Sequence, residues 1–182
     1  MIRTPRLLLR PLDRGDAPAL AAVAGERRIA DTTISVPHPF GPAEAERWIG
    51  ACLSDAAQGH RMGLAILVAE EGALAGYVGL HHIDREHGEA EISFWIGAAH
   101  EGRGLVTEAG RAVIDHGFQA LELNRICAFH MMRNPGSERV LARLGFQREG
   151  VLRQRVRKWD AYEDVAVWSR LRSDPQPSAI RS

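Results

Sequence analysis

The sequence predicts an α/β protein with about seven strands and about four helices, in the order β-α-α-β-β-β-α-β-α-β-β around a mixed sheet with few crossovers. Three segments carry that prediction. In 89-EAEISFWIG-97, Glu91, Ser93 and Trp95 alternate with Ile92, Phe94 and Ile96, the period of two that a strand imposes. From Leu105 to Leu121 the period turns helical, with Val106, Ala109, Val113 and Ala120 on one face. In 134-NPGSERVLARLGF-146 the signals of a whole helix stand in order: Asn134 to cap it, Pro135 at its first position and Gly145 just past its end.

The remaining elements follow from local grammar. Arg6 to Leu12 reads as a strand, and Asp13 or Asp16 can cap a helix running to about Ala24. The segment 31-DTTISVPHPFGP-42 is a loop broken by Pro37, Pro39, Gly41 and Pro42. Ala43 to about Gln58 is helical, with Trp48, Ile49, Cys52 and Leu53 on one face. "GLAILVAE", a turn at "EG" and "ALAGYVGLHHID" fit a hairpin, and "RICAFHM" is a further strand. Two more strands cover about Gln147 to Val156 and Val165 to Leu171. Gly110 and Gly117 share the inner face of their helix, where each costs about 1 kcal/mol relative to alanine; close approach to a sheet would explain them. The tail from Ser173, "SDPQPSAIRS", is polar and proline-bearing and is expected to be flexible, leaving residues 1–172 as a single domain.

Composition narrows the function classes. The chain has 182 residues, 45% apolar and 25% charged, with a formal net charge of zero. No global field recruits nucleic acid or an anionic membrane, and no basic patch or aromatic-studded strand suggests RNA binding. The opening "MIRTPRLLLRPL" is too short in its apolar run for a signal sequence, and no run approaches membrane-spanning length. Cys52 and Cys127 lie far apart in apolar contexts, as buried free thiols of a reduced, cytoplasmic protein do. No His, Cys or carboxylate cluster has the spacing of a metal site, so no metal is expected.

The chemistry concentrates at 101-EGRGL-105, a glycine turn between strand and helix. The first N–H groups of a helix lack intrahelical partners and favour an anion. Gly102 and Gly104 can take positive φ, and Arg103 could bond a phosphate. Alone, such a turn is more often structural. It is neither a Walker loop nor GxGxxG, although a nucleotide-binding reading would predict ATP or NAD here.

The wider context is more specific. "AEISFWIGAAHEGRGLVTEAGRAVIDHGFQALELNRI" followed by "NPGSERVLARLGFQREG" resembles the GNAT acetyltransferases, in particular their RimJ/RimL-like branch. "TPRLLLRPL" and "YEDVAVWSRL" are similar to that branch's first and last strands, so the resemblance covers about residues 3 to 172. It implies a mostly antiparallel sheet splayed at a CoA cleft, and acyl transfer from acetyl-CoA as cosubstrate to an amine. The family's pyrophosphate loop maps onto Glu101, Gly102, Arg103, Gly104, Leu105 and Val106, with Thr107 in the Thr-Glu-Ala helix start. Glu101 and Val106 depart from the family pattern, and the Glu101 side chain should point away from a pyrophosphate. The strand at Trp95, Ile96 and Gly97 would pair with the pantetheine arm and offer N–H groups to the oxyanion.

For the remaining roles, Glu91 is the first choice of general base, ahead of Glu89 and His82. Leu141 stands where many relatives carry an acidic tyrosine, so Ser137 is the candidate to hydrogen-bond the leaving sulfur. Asn134 could contact pantetheine or simply cap its helix. His38, Phe40, His82, Trp159 and Tyr162 are the candidate acceptor-binding side chains. The acceptor could be a protein N-terminus or a small amine, and the protein a monomer or homodimer. The competing class is a non-catalytic acyl-CoA-binding regulatory module.

Overall fold

A computed structural model describes residues 1–177. Its elements are β1 (Ile2–Arg3), β2 (Leu7–Pro11), α1 (Ala17–Ala24), α2 (Arg27–Thr32), α3 (Pro42–Ala57), β3 (Arg61–Val68), β4 (Leu74–Asp84), β5 (Glu89–Ile96), α4 (Leu105–Gln119), β6 (Arg125–Met131), α5 (Pro135–Arg143), β7 (Gln147–Lys158) and β8 (Ala161–Leu171). The strands make one open eight-stranded sheet in the order β1-β2-β3-β4-β5-β6-β8-β7. Every neighbouring pair is antiparallel except β5 and β6. No helix among the described residues is long and apolar enough to cross a membrane.

Each face of the sheet has its own core, as strand alternation requires. On one face Leu9, Ile66, Val78, Ile92 and Ile126 pack against α4 and the end of α5 through Val113, Ile114, Leu141 and Leu144. On the other, Ala65, Tyr77 and Trp95 meet α1 and α3 through Leu20, Ile49 and Cys52. Gly117 lies close to the sheet as expected: a Cβ there would sit 3.0 Å from Leu80 and 3.1 Å from Ile126. Gly110 instead admits Leu144 from the end of α5, 2.9 Å from where its Cβ would be.

The feature that matters for function is a fork. β5 pairs with β6 only from Glu89 to Glu91, against Arg125 to Cys127. Beyond Glu91, β5 stays with β4 to Ile96, and β6 stays with β8 to Met131. The two strands part, and the cleft opens between them with Glu91 at its apex.

Sequence expectation and structure differ at short or polar pieces. β1 is too brief to show a period, and α2 is one turn and a half of mostly polar residues, too short to show one either. β7 and β8 extend to Lys158 and back to Ala161, because Arg157 pairs with Tyr162 and Lys158 with Ala161 across a tight turn at Trp159 and Asp160. Exposure on both faces removes the apolar alternation there. Asp13 caps a short 3-10 turn by accepting from the Gly15 N–H at 2.8 Å, while Asp16 is held by Arg10 rather than capping α1. Past β8, Leu171 N–H donates to Asp174 at 2.8 Å and Arg170 to Gln176 at 3.1 Å. Residues 178–182 of the tail expected to be flexible lie outside the described residues.

Candidate active site

The turn from β5 into α4 has the backbone features that can receive an anion. Gly102 and Gly104 sit at φ 71° and 73°, where a side chain is strained. Gly104 is the N-cap of α4 and has no side chain to satisfy the first-turn N–H groups. Those groups open onto a cavity of about 300 Å³. Of the residues expected to hold the cofactor, Trp95, Ile96, Glu101, Gly102, Gly104, Leu105, Val106, Thr107, Asn134 and Ser137 line it.

Two expected residues do not line the cavity. Arg103 turns towards Glu71 at 3.4 Å, and its carbonyl accepts from Arg6 at 2.9 Å. Gly97 gives its N–H to Ala75 O at 2.8 Å. Bonded pairs alternate along an antiparallel ladder. Trp95 and Ser93, in step with Gly97, therefore commit their backbone groups to β4, whereas Phe94 and Ile96 present theirs to the cleft. The oxyanion donors expected near Trp95 to Gly97 thus narrow to Ile96, with Phe94 added.

Glu101, the odd residue of the turn, is accounted for. Its carboxylate pairs with Arg28 at 2.7 Å, and Arg28 is also held by Glu26 at 2.8 Å. Positive charge at this cavity comes instead from Arg139 and Arg143 on α5, which the sequence reading did not select. Their spacing of four, bracketing Val140 on one helical face, was the signal that could have found them.

Asn134 and Ser137 form a closed unit. The Asn134 carbonyl oxygen accepts from the Ser137 N–H at 3.1 Å, capping α5. Its amide donates to the Thr32 carbonyl at 2.8 Å and to Ser137 Oγ at 2.9 Å. Asn134 is therefore satisfied within the protein and ties the end of α2 to α5. Ser137 Oγ accepts a bond, which leaves its own hydrogen to point into the cavity. Asn134→Ala should lower stability by about 1 kcal/mol through the lost cap alone, seen as a fall in Tm of several degrees.

A second cavity, of about 420 Å³, lies on the other side of the fork and is lined by Glu91, His81, His82, Arg61 and Tyr77 among others. Both cavities share Thr32, Thr33, Phe94, Trp95 and Ser137. They meet where β5 and β6 part. Arg61, His81, Glu91 and Cys127 stand opposite one another in a row across β3, β4, β5 and β6. Sequence spacing alone could not show that row.

Glu91 is the centre of an acid–base cluster. His81 Nε2 is 3.5 Å and His82 Nδ1 3.4 Å from its two carboxylate oxygens. Adjacent strand residues normally face opposite ways; here His82 adopts φ 50° at a register shift, which brings both rings to one carboxylate. The two imidazoles also approach each other through their Nδ1 atoms at 3.3 Å. His81 uses opposite ring nitrogens for these two contacts, and one ligand atom from each of His81, His82 and Glu91 lies within 4.8 Å of the others, a potential cation-binding group that sequence spacing did not announce. Burial, helped by the Arg61 charge, holds His81 down to about 3, so it stays neutral. Burial raises Glu91 above the ordinary carboxylate value, and His82, Arg155 and Arg61 oppose that rise.

The other expected acceptor residues fare differently. His82 lines the cavity. Phe40 is buried among α1 and α3 at 5% exposure. His38 lies edge-on to Trp159, whose Nε1 donates to Asp31 at 2.7 Å, and Tyr162 is 65% exposed. These four lie outside the cavity lining.

Residues 6–147 match the family model described as an acetyltransferase (GNAT) domain. The chain belongs to the GNAT acetyltransferase family. This GNAT acetyltransferase is 33% identical over 172 residues to an uncharacterized N-acetyltransferase, p20, of Bacillus licheniformis, covering 94% of this chain and 96% of that one. It is 34% identical over 114 residues to the ribosomal-protein-serine acetyltransferase of Escherichia coli K12, covering 62% of this chain and 64% of that one. Its fold superposes at a TM-score of 0.86 on RimL, the ribosomal L7/L12 alpha-N-protein acetyltransferase, solved with coenzyme A. That likeness covers 92% and 95% of the two chains at 19% identity, and concerns the fold. The enzyme is thus a GNAT N-acetyltransferase with RimJ/RimL relatives.

Proposed function

We propose that this enzyme moves the acetyl group of acetyl-CoA to a primary amine by direct attack in a ternary complex, with the acceptor a protein N-terminus or a small amine. The observation that carries this reading is the meeting of the two cavities at the fork, with Ser137 and Trp95 on both walls. One cavity has anion-binding features and the other has a carboxylate, so a thioester and an amine can approach from opposite sides.

In this reading, the first-turn N–H groups of α4, with Arg139 and Arg143, hold the phosphates of CoA. The pantetheine arm runs along the free edge of β5, and an N–H of Phe94 or Ile96 stabilises the oxyanion. Glu91 takes the ammonium proton, directly or through water, and the free amine attacks the thioester carbon. The C–S bond breaks as the tetrahedral intermediate collapses; Ser137 O–H bonds the departing thiolate, and the second proton, lost from the attacking nitrogen, passes through water to that sulfur, giving amide and CoA thiol. Cys52 and Cys127 are buried free thiols pushed up to about 11 and about 12 by burial, so neither is a ready nucleophile for an acyl-cysteine, and the setting we propose is cytoplasmic.

Purified protein with acetyl-CoA and a panel of N-terminal peptides, polyamines and aminoglycosides tests this. Amine-dependent release of the CoA thiol with matching product mass is expected. CoA binding without turnover of any amine would support the non-catalytic module instead. Ser137→Ala should lower kcat about 10- to 100-fold, the value of one hydrogen bond to a developing charge. Its KM for acetyl-CoA should change far less.

A further inference from the structure

Three side chains of the second cavity are arranged as a ligand set. His81 Nε2 stands 3.5 Å and His82 Nδ1 3.4 Å from the Glu91 carboxylate, and one ligand atom from each residue lies within 4.8 Å of the others. Among the described residues this is the one group of three or more His, Cys, Asp or Glu side chains close enough to share a cation. Metal–ligand bonds of about 2.0–2.2 Å in a tetrahedral site put neighbouring ligand atoms about 3.3–3.6 Å apart. Both contacts to Glu91 already have that length. The remaining adjustment falls to a carboxylate that can rotate and to the His82 side chain, 77% exposed and in polar contact only with His81 and Glu91.

The backbone is bent to make this group. One of two adjacent strand residues ordinarily leaves the cavity, and the left-handed φ of 50° at His82 keeps both rings on Glu91. Proton removal by Glu91 needs neither the bend nor a second imidazole. His82 also lines a separate basin of about 680 Å³ with Asp55, His60 and Asp84, so the cluster borders solvent on a second side.

The surroundings select the cation. Arg61 lines the cavity, although Asp55 holds it at 3.1 Å, and the charge of Arg155 is felt at Glu91. Positive neighbours and a single carboxylate disfavour Mg²⁺ and Ca²⁺, which require several oxygens. Two imidazoles and a carboxylate suit Zn²⁺ and its borderline relatives. Cys127, opposite Glu91 in the sheet, turns its thiol to the Ala90 carbonyl at 3.5 Å, so the set has three protein ligands and leaves the rest to solvent.

We propose that His81, His82 and Glu91 form a site for a zinc-class dication that switches the enzyme off. Resting on the acetyl-transfer reading above, the bound cation takes the carboxylate oxygens that would receive the ammonium proton and puts a like charge where the ammonium enters. The metal-free enzyme is the active form, and Zn²⁺ competes with the amine rather than with acetyl-CoA.

The test begins with untagged full-length protein, stripped with EDTA, dialysed and titrated calorimetrically with ZnCl₂ and separately with MgCl₂. One Zn²⁺ per chain is expected, without Mg²⁺ binding. His82→Ala and His81→Gln should each weaken Zn²⁺ binding at least about tenfold. His87→Ala, which removes a surface histidine paired with Asp84, should leave it unchanged. In assays that quantify acetylated amine by mass, Zn²⁺ should slow the wild type less as amine is raised, and EDTA should restore the rate. At least about tenfold more Zn²⁺ should be needed to inhibit His82→Ala to the same fraction, which separates this site from Zn²⁺ captured by the CoA thiol. No Zn²⁺ binding, or binding that both histidine variants retain, would overturn the site, and Mg²⁺ binding lost in those variants would overturn its zinc class. Zn²⁺ that binds there yet leaves the rate unchanged or raises it would overturn the inhibitory role. Zn²⁺ binding lost in the variants, with no amine acetylated by the metal-free enzyme, would overturn acetyl transfer and leave the cation site standing.

Discussion

Glu91→Gln should lower kcat by at least about 10²-fold, the lower end of what a positioned base contributes, and should remove the acidic limb of the kcat–pH profile. Glu91 acts as a base only when ionised, so the wild-type rate must fall as pH drops through its folded-state pKa. Burial places that value above the ordinary carboxylate range. The limb should therefore appear at higher pH than an exposed glutamate would give. His81 cannot imitate it, since a group held at about 3 does not titrate near neutrality. His82 meets the same carboxylate at 3.4 Å, and its variant separates the two. If His82→Ala removes the limb while Glu91→Gln keeps it, the base is His82. Activity measured with both substrates saturating keeps the free amine's own titration out of the comparison.

Gly104→Val should raise the Kd for CoA by about tenfold or more. A β-branched residue at φ 73° costs on the order of 1–2 kcal/mol, and relief comes by rotating the peptide whose N–H groups begin α4. Strain and lost anion contact thus act on one turn. Gly102→Ala is the milder companion: its Cβ would meet nothing within 4 Å, so only the backbone preference at φ 71° opposes it. Calorimetric titration with CoA checks both. A Gly104→Val enzyme that binds CoA as tightly as wild type would remove this turn from the cofactor site, whatever its Tm.

How much of this was legible in the sequence depended on the range of the interactions involved. The strand at Ile92, the α4 face at Val113 and the cap at Asn134 are local features, and their periods and punctuation announced them. The resemblance of "EGRGL" with its flanks then pointed to a turn that lines a cavity. What sequence could not show was contact across strands. The row from Arg61 through His81 to Glu91 depends on the register of four strands. The capture of Glu101 by Arg28 joins residues 73 positions apart. Gly97 looked available for the thioester because nothing local reveals that Ala75 already takes its N–H. On the acceptor side, too, the packing was hidden: Phe40 serves the core and Trp159 bonds Asp31 from a hairpin tip, contacts that no local pattern announces.

The most direct measurement is a crystal structure with a bisubstrate analogue, in which CoA sulfur is joined through an acetyl bridge to an amine. The sulfur should lie within hydrogen-bond reach of Ser137 Oγ at the fork, and the nitrogen within reach of Glu91 directly or through one ordered water. The phosphates should sit on the first turn of α4. An analogue that leaves the β5–β6 cleft empty, or that turns its nitrogen away from Glu91, would contradict the central claim that thioester and amine meet where these two strands part.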